Sequence, residues 1–169
     1  MPIHFSYHFI TCIFVLTLAA FTSNTLAASN ADAPEFSLPI IGKEGTVNLK
    51  DLKGRVVYVD FWATWCPPCR KSFPWMEEMH NRYYEDGLTI VAISVDAKYQ
   101  LAEKFIQDIQ TSFISAHDPA KKIAELYKLR AMPSSYLIDR NGKIISTHLG
   151  FRASRSKKVE AEIKAALMQ

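Results

Sequence analysis

Cysteine is scarce in this chain: there are three, Cys12, Cys66 and Cys69, in 169 residues. That excludes a disulfide-stapled scaffold, because the last two stand three positions apart and cannot close a long loop. There is no second CxxC, and His80, His117 and His148 stand singly, without the paired spacing of a structural zinc site. A long basic block is also missing. The 20 Lys and Arg are spread among 17 Asp and Glu, for a net charge of +3. The short basic stretch 152–158 is broken by Ala and Ser and reads as a solvated helix start, so no nucleic-acid partner is expected. Internal repeats and low-complexity stretches are absent, and no acidic or basic residue precedes Asp32.

That uncharged beginning contains an apolar run over 9–21. It is short for a membrane span, which needs about 20 apolar residues, and suits the core of a signal peptide. Thr25-Leu26-Ala27 fits the small-residue cleavage pattern, which places a signal peptide over 1–27. The segment ahead of the run carries His4 and His8 but no Lys or Arg, and this keeps an uncleaved N-terminal anchor as the competing expectation. Either reading makes the protein periplasmic or otherwise exported. Cys12 would leave with the signal peptide, so the mature chain keeps only Cys66 and Cys69. Residues 28–34 read as a flexible leader and 35–169 as one domain.

Within that domain, residues 35–52 hold short apolar pieces broken by Pro39, Gly42 and Gly45, which predicts a small hairpin and a turn. The β-branched and aromatic run 56–61 predicts a buried strand, and 71–85 a helix stopped by Gly87. A second buried strand is predicted over 88–95, a second helix over 99–109, and a short strand at 113–115. Asp118-Pro119 has the form of a helix start, Asp at the cap and Pro at the first position, leading to Leu129. Two strand-like runs, 135–139 and 143–148, flank Asn141-Gly142, a strong hairpin signal. A final helix is predicted from about Ser154 to Leu167. Alternation of this kind calls for an α/β fold: a mainly parallel sheet with helices on both faces and an antiparallel edge.

The chemistry is carried by Trp65-Cys66-Pro67-Pro68-Cys69, which follows the first buried strand and opens a helix. Residues three apart on a first helical turn share a face, so the two sulfurs can bond with little backbone movement. A cysteine at the positive end of a helix is favoured as thiolate. Prolines cost little there, because first-turn N–H groups lack an intrahelical partner. Cys66 is thereby assigned as the attacking thiolate and Cys69 as the resolving thiol. Two other readings of the pair stay open: a copper site of two thiolates with a distant histidine such as His117, and two inert thiols.

Over residues 59–69 the chain resembles the thioredoxin superfamily, and more narrowly its exported TlpA/ResA-like branch together with the cytochrome c maturation thioredoxins. The likeness extends through Ala33-Pro34-Glu35-Phe36, residues 54–73, and Met132-Pro133 with the strand and Asn141-Gly142 turn that follow. The resemblance implies a thioredoxin-like fold: a central mixed sheet flanked by helices, with an N-terminal hairpin and an inserted strand–helix segment placed around Thr89 to Ser112. It implies a cis Met132–Pro133 bond beside the cysteines, with Trp65, Pro67, Met132 and Pro133 forming the surface where a substrate docks. It further implies that Asp60, an acid in the middle of an apolar strand, exchanges a proton with the second cysteine. Burial should raise its pKa and suit it to that task; the competing reading is a strand Asp bonded to backbone. The chain departs from several ResA-like proteins in carrying Ser72 where they have a Glu.

The expected activity is that of a protein-disulfide oxidoreductase using the Cys66–Cys69 pair as its redox-active disulfide. The expected direction is reduction of disulfides in exported proteins, with a membrane-embedded dithiol as electron donor and apocytochrome c or another CxxC protein as client. No cofactor is called for, since the dithiol is itself the redox group, and no metal. An oxidant or isomerase with the same residues, and a non-catalytic copper chaperone, are the alternatives. Nothing in the surface pattern calls for an obligate dimer, so a monomer is expected.

Overall fold

A computed structural model describes Met1 and residues 31–169. The signal peptide or anchor expected over 1–27 and the first part of the leader lie outside the described residues. Residues 31–34, the rest of the expected leader, are tied down: Ala33 N donates to Gly142 O at 2.9 Å, Ile144 N to Ala31 O at 2.9 Å, and Ala33 is buried. No helix among the described residues is long and apolar enough to cross a membrane.

Strand β1 (Ser37–Pro39) and strand β2 (Thr46–Asn48) form the expected hairpin, and a 3-10 turn, Leu49–Leu52, follows. The central sheet is built from β3 (Val56–Trp62), β4 (Leu88–Ser94), β5 (Ile114–His117), β6 (Ser134–Ile138) and β7 (Ile144–Leu149), in the order β5-β4-β3-β6-β7. The pairs β3–β4 and β4–β5 are parallel, while β3–β6 and β6–β7 are antiparallel. Every residue of β3 and β4 is buried, as expected of strands covered on both faces. Four helices accompany them: α1 (Pro67–Tyr83), α2 (Tyr99–Ile109), α3 (Lys122–Leu126) and α4 (Ala153–Leu167). The strand–helix segment expected around Thr89 to Ser112 corresponds to β4 and α2, with β4 hydrogen-bonded on both sides inside the sheet.

Alternation along β3 divides the core. Tyr58, Asp60 and Trp62 face one side, where the Tyr58 ring meets Trp75 of α1 at 5.7 Å and Trp62 meets Phe73 of α1 at 4.9 Å and Phe105 of α2 at 5.0 Å. Val159 of α4 lines the same side beside Tyr58 and Asp60. Phe61 faces the other side, against Tyr127 at 5.3 Å and Tyr136 at 5.9 Å, with Phe36 beyond.

Two helices differ from their sequence pattern. The first begins at Pro67 rather than Lys71, because the two prolines occupy its first two positions, and it continues through Pro74 to Tyr83. The helix expected directly after Asp118-Pro119 starts only at Lys122 and stops at Leu126. Lys121 has a left-handed backbone (φ 57°), so the chain turns once before winding, and the Asp118 carboxylate reaches across to accept from Ile123 N at 2.9 Å and Ala124 N at 3.1 Å. Gly87, ahead of β4, has φ 107°, a conformation that favours glycine, and an added Cβ would lie 3.0 Å from Arg140 Nη1 and press on that guanidinium.

Candidate active site

β3 ends at Trp62, and the next residues turn the chain into α1. The turn is pinned from β4: the buried Asp96 carboxylate accepts from Thr64 N at 2.9 Å, Thr64 Oγ1 at 2.8 Å and Ser94 Oγ at 2.9 Å. Val95 N donates to Trp62 O at 2.9 Å, and Cys66 N to Ala63 O at 3.1 Å. Cys66 therefore arrives at the N-cap of α1 in an extended conformation, φ −102° and ψ 99°.

Cys66 and Cys69 form a disulfide, with an S–S distance of 2.05 Å. Cys66 is 4% exposed and Cys69 is 0% exposed, so of the two residues only the first reaches solvent. The helix offers that sulfur one N–H: Cys69 N donates to Cys66 Sγ at 3.3 Å, while Pro67 and Pro68, at the two preceding positions, have none to give. Ser72 is buried and donates to Cys69 O at 2.7 Å, which occupies its hydroxyl in holding the helix backbone.

Met132–Pro133 is a cis peptide bond. Register places it at the same end of the sheet as the cysteines, because Ser134 pairs with Phe61 and the two residues ahead of β6 thus sit at the end where β3 delivers Cys66. Trp65 is 63% exposed and Pro67 is exposed, whereas Met132 is half-buried and Pro133 buried. Pro133 lines a cavity of about 480 Å³ together with Asp60, Tyr58, Trp75, Ser135 and His148; Trp65, Pro67 and Met132 lie outside it.

Asp60 is buried in β3, and burial pushes its carboxyl well above the ordinary aspartate range. Its Oδ2 has no hydrogen-bond partner among the described residues. Neighbouring Tyr58 is likewise pushed up, by burial first and by the Asp60 charge second, and its hydroxyl donates to Ser135 Oγ at 2.7 Å. At the cavity rim, His148 Nε2 lies 2.7 Å from Glu162 Oε2, which also accepts from Ser146 Oγ at 2.7 Å.

Sequence reasoning finds Cys66, Cys69 and Asp60 but misses Thr64, Asp96, Ser135 and His148. A polar residue directly after an apolar strand, as Asp96 is, was the one available signal. His117, the distant histidine considered for copper, is buried with Nε2 2.8 Å from Asp96 O, so that nitrogen already has a backbone partner.

A reachable sulfur over a buried one, at a helix start on a thioredoxin-like sheet, is equipped for dithiol exchange, and this defines the class as thiol–disulfide oxidoreductase. The chain belongs to the AhpC/TSA family, whose model matches residues 30–147. Among curated relatives, the thiol-disulfide oxidoreductase ResA of Oceanobacillus iheyensis is 40% identical over 115 residues, covering 66% of this chain and 60% of its own length. The ResA of Bacillus cereus is 37% identical over 120 residues, covering 70% and 68%. Part of each relative thus lies outside the match. Of solved structures, one described as the thiol:disulfide interchange protein DsbE from Chlorobium tepidum superposes with a TM-score of 0.80 and 46% identity, over 83% of this chain and 99% of that one. The thioredoxin domain of a thiol-disulfide oxidoreductase from Bacteroides vulgatus gives 0.71 and 27%, over 80% and 98%.

Proposed function

We propose that the protein is an exported disulfide reductase. Its Cys66 thiolate attacks one sulfur of a client disulfide, the client S–S bond breaks, and a Cys66–client mixed disulfide forms as the departing thiolate takes a proton. Asp60, once its raised carboxyl has ionised, takes the proton of Cys69, which attacks Cys66 Sγ. The mixed disulfide breaks, the client leaves as a dithiol, and two electrons have passed from protein to client. Trp65, Pro67, Met132 and Pro133 are the surface on which the client docks. A membrane-embedded dithiol restores the reduced pair, the apolar run at 9–21 directs export, and CxxC proteins such as apocytochrome c are the client class.

The observation that carries the direction is the single N–H on Cys66 Sγ. Each further donor would stabilise the thiolate, and with it the reduced form, making the disulfide a stronger oxidant. Two prolines withhold two such donors, which favours a reductant. The test is the Cys66/Cys69 potential, measured by equilibrating the protein in glutathione buffers and counting free thiols by alkylation and mass. A value at or below about −200 mV is expected, and one near −120 mV would make the protein an oxidant instead. Failure to form the disulfide would overturn the redox reading and turn attention to thiolate-bound copper.

A further inference from the structure

Asp60 can work repeatedly only if the proton it takes can leave. It is buried within the sheet, and its Oδ2 has no protein partner among the described residues. The register supplies a direction. Asp60 pairs with Ser135, and Ser135 pairs with His148, so the three form one row across β3, β6 and β7, on one face. Strands lie about 4.8 Å apart, so the Asp60 and His148 backbones are about 10 Å apart with Ser135 between them. All three line the cavity of about 480 Å³, ample for several waters, each of which takes about 30 Å³ in the liquid.

His148 is oriented for a particular task. Its Nε2 meets the Glu162 carboxylate, which can only accept, so Nε2 carries the hydrogen. Nδ1 is left as a bare lone pair, buried and without a protein partner among the described residues. The row thus has an unpartnered carboxyl oxygen at one end and an unpartnered imidazole nitrogen at the other, both buried and both on residues that line the shared cavity. The His148 side chain is 19% exposed, which gives it contact with solvent as well. Partial burial pushes Glu162 up, but the hydrogen bonds from Ser146 and His148 outweigh it and hold the carboxyl below its usual value, ready to support an imidazolium.

We propose that His148, braced by Glu162, is the outer station through which the Asp60 proton passes, by way of Ser135 and cavity water, to solvent. This rests on Asp60 being the group that takes the Cys69 proton. In the step, the Asp60 carboxyl O–H breaks, a proton moves along the cavity water to His148 Nδ1, and the imidazolium returns it to bulk solvent; no electrons move. His148 is accordingly a positioning residue for the reaction rather than a group that touches the sulfurs. The other ionisable groups lining its cavity are Tyr58 and Asp60 from β3, Arg152 ahead of α4, and Arg155 and Lys158 on α4; α1 contributes only the uncharged Trp75. Lys158 is also 4.0 Å from Glu162.

The test uses the reduced full-length protein and an aromatic disulfide that releases a coloured thiol. Attack by Cys66 releases the first thiol, and resolution by Cys69 the second, so the second phase reports the deprotonation step. In His148→Gln the first phase should be unchanged and the second slowed about tenfold at neutral pH, with its pH profile flattened and imidazole buffer restoring the rate. Glu162→Gln should shift the same profile to lower pH, and in the parent the second phase should be slower in D2O. If His148→Gln and Glu162→Gln leave the second phase and its pH profile unchanged while Asp60→Asn alters them, His148 is not the relay. If Asp60→Asn leaves them unchanged too, the role given to Asp60 fails, and the relay with it.

Discussion

At Cys66 a small part of the surface reaches solvent, and at Cys69 none does. The division of labour follows from that difference, and it can be read as a covalent trap. Cys69→Ser should accumulate a disulfide-linked adduct with a client or model disulfide, because attack proceeds and resolution cannot. Cys66→Ser should form none and lose exchange activity altogether. Mass spectrometry under non-reducing conditions distinguishes them, and an adduct on Cys69 in the second variant would reverse the assignment. These two residues are legible in the sequence because their spacing is itself the chemistry. Asp60 is legible for a different reason: an acid within an apolar strand contradicts its surroundings, and such contradictions mark function. His148 and Ser135 are not legible, since polar residues along the edge strand β7 look like any solvated face and a serine near the start of the buried strand β6 carries no signal of its own. Their meaning comes from register, which joins positions 60, 135 and 148 across three strands.

At the scale of elements, the buried Asp96 carboxylate fastens the β3–α1 turn to the end of β4 through its bonds to Thr64, and thereby sets where Cys66 stands. Asp96→Ala leaves the Thr64 N–H and two hydroxyls without their acceptor. It should cost about 2 kcal/mol in urea denaturation and slow the first phase of disulfide attack, while Asp96→Asn should retain part of both. Equal stability in the alanine variant would show that the turn is held by other contacts. The strands and the long helices match their sequence patterns closely because period and apolar run-length are properties of contiguous residues. The α3 region does not, since a left-handed Lys121 intervenes and Asp118 caps from four residues before the helix starts. The apolar period of α1 shows only from about Lys71, while its first turn is read from the cysteine spacing and the two prolines, which are tolerated at a helix start.

For the whole molecule, the buried Asp60 predicts how stability responds to pH. Its folded pKa is raised by burial, while in the unfolded chain it titrates near the ordinary value of about 3.9. Above that pH the unfolded state loses a proton that the folded state keeps, so the stability of the parent should fall by about 1.4 kcal/mol per pH unit from this group alone, until the folded carboxyl ionises. Asp60→Asn removes the slope: the variant should be the more stable protein at neutral pH, and the two curves should converge near pH 4. Denaturant titrations across that range check it, and parallel curves would mean that Asp60 is not held protonated. A different property of the whole follows from where the chain enters and leaves. Ala31 and Ala33 bond to Gly142 and Ile144, and Arg140 donates to Gly54 O and to Leu167 O at the end of α4, all at the pole of the sheet where β3 begins. At about 3.3 Å per residue, the seven residues of β3 set the cysteines roughly 20 Å from that pole. A leader, affinity handle or sensor surface attached at either end of the described domain therefore holds it from behind, with the dithiol turned outward and free to meet a partner approaching from the opposite direction.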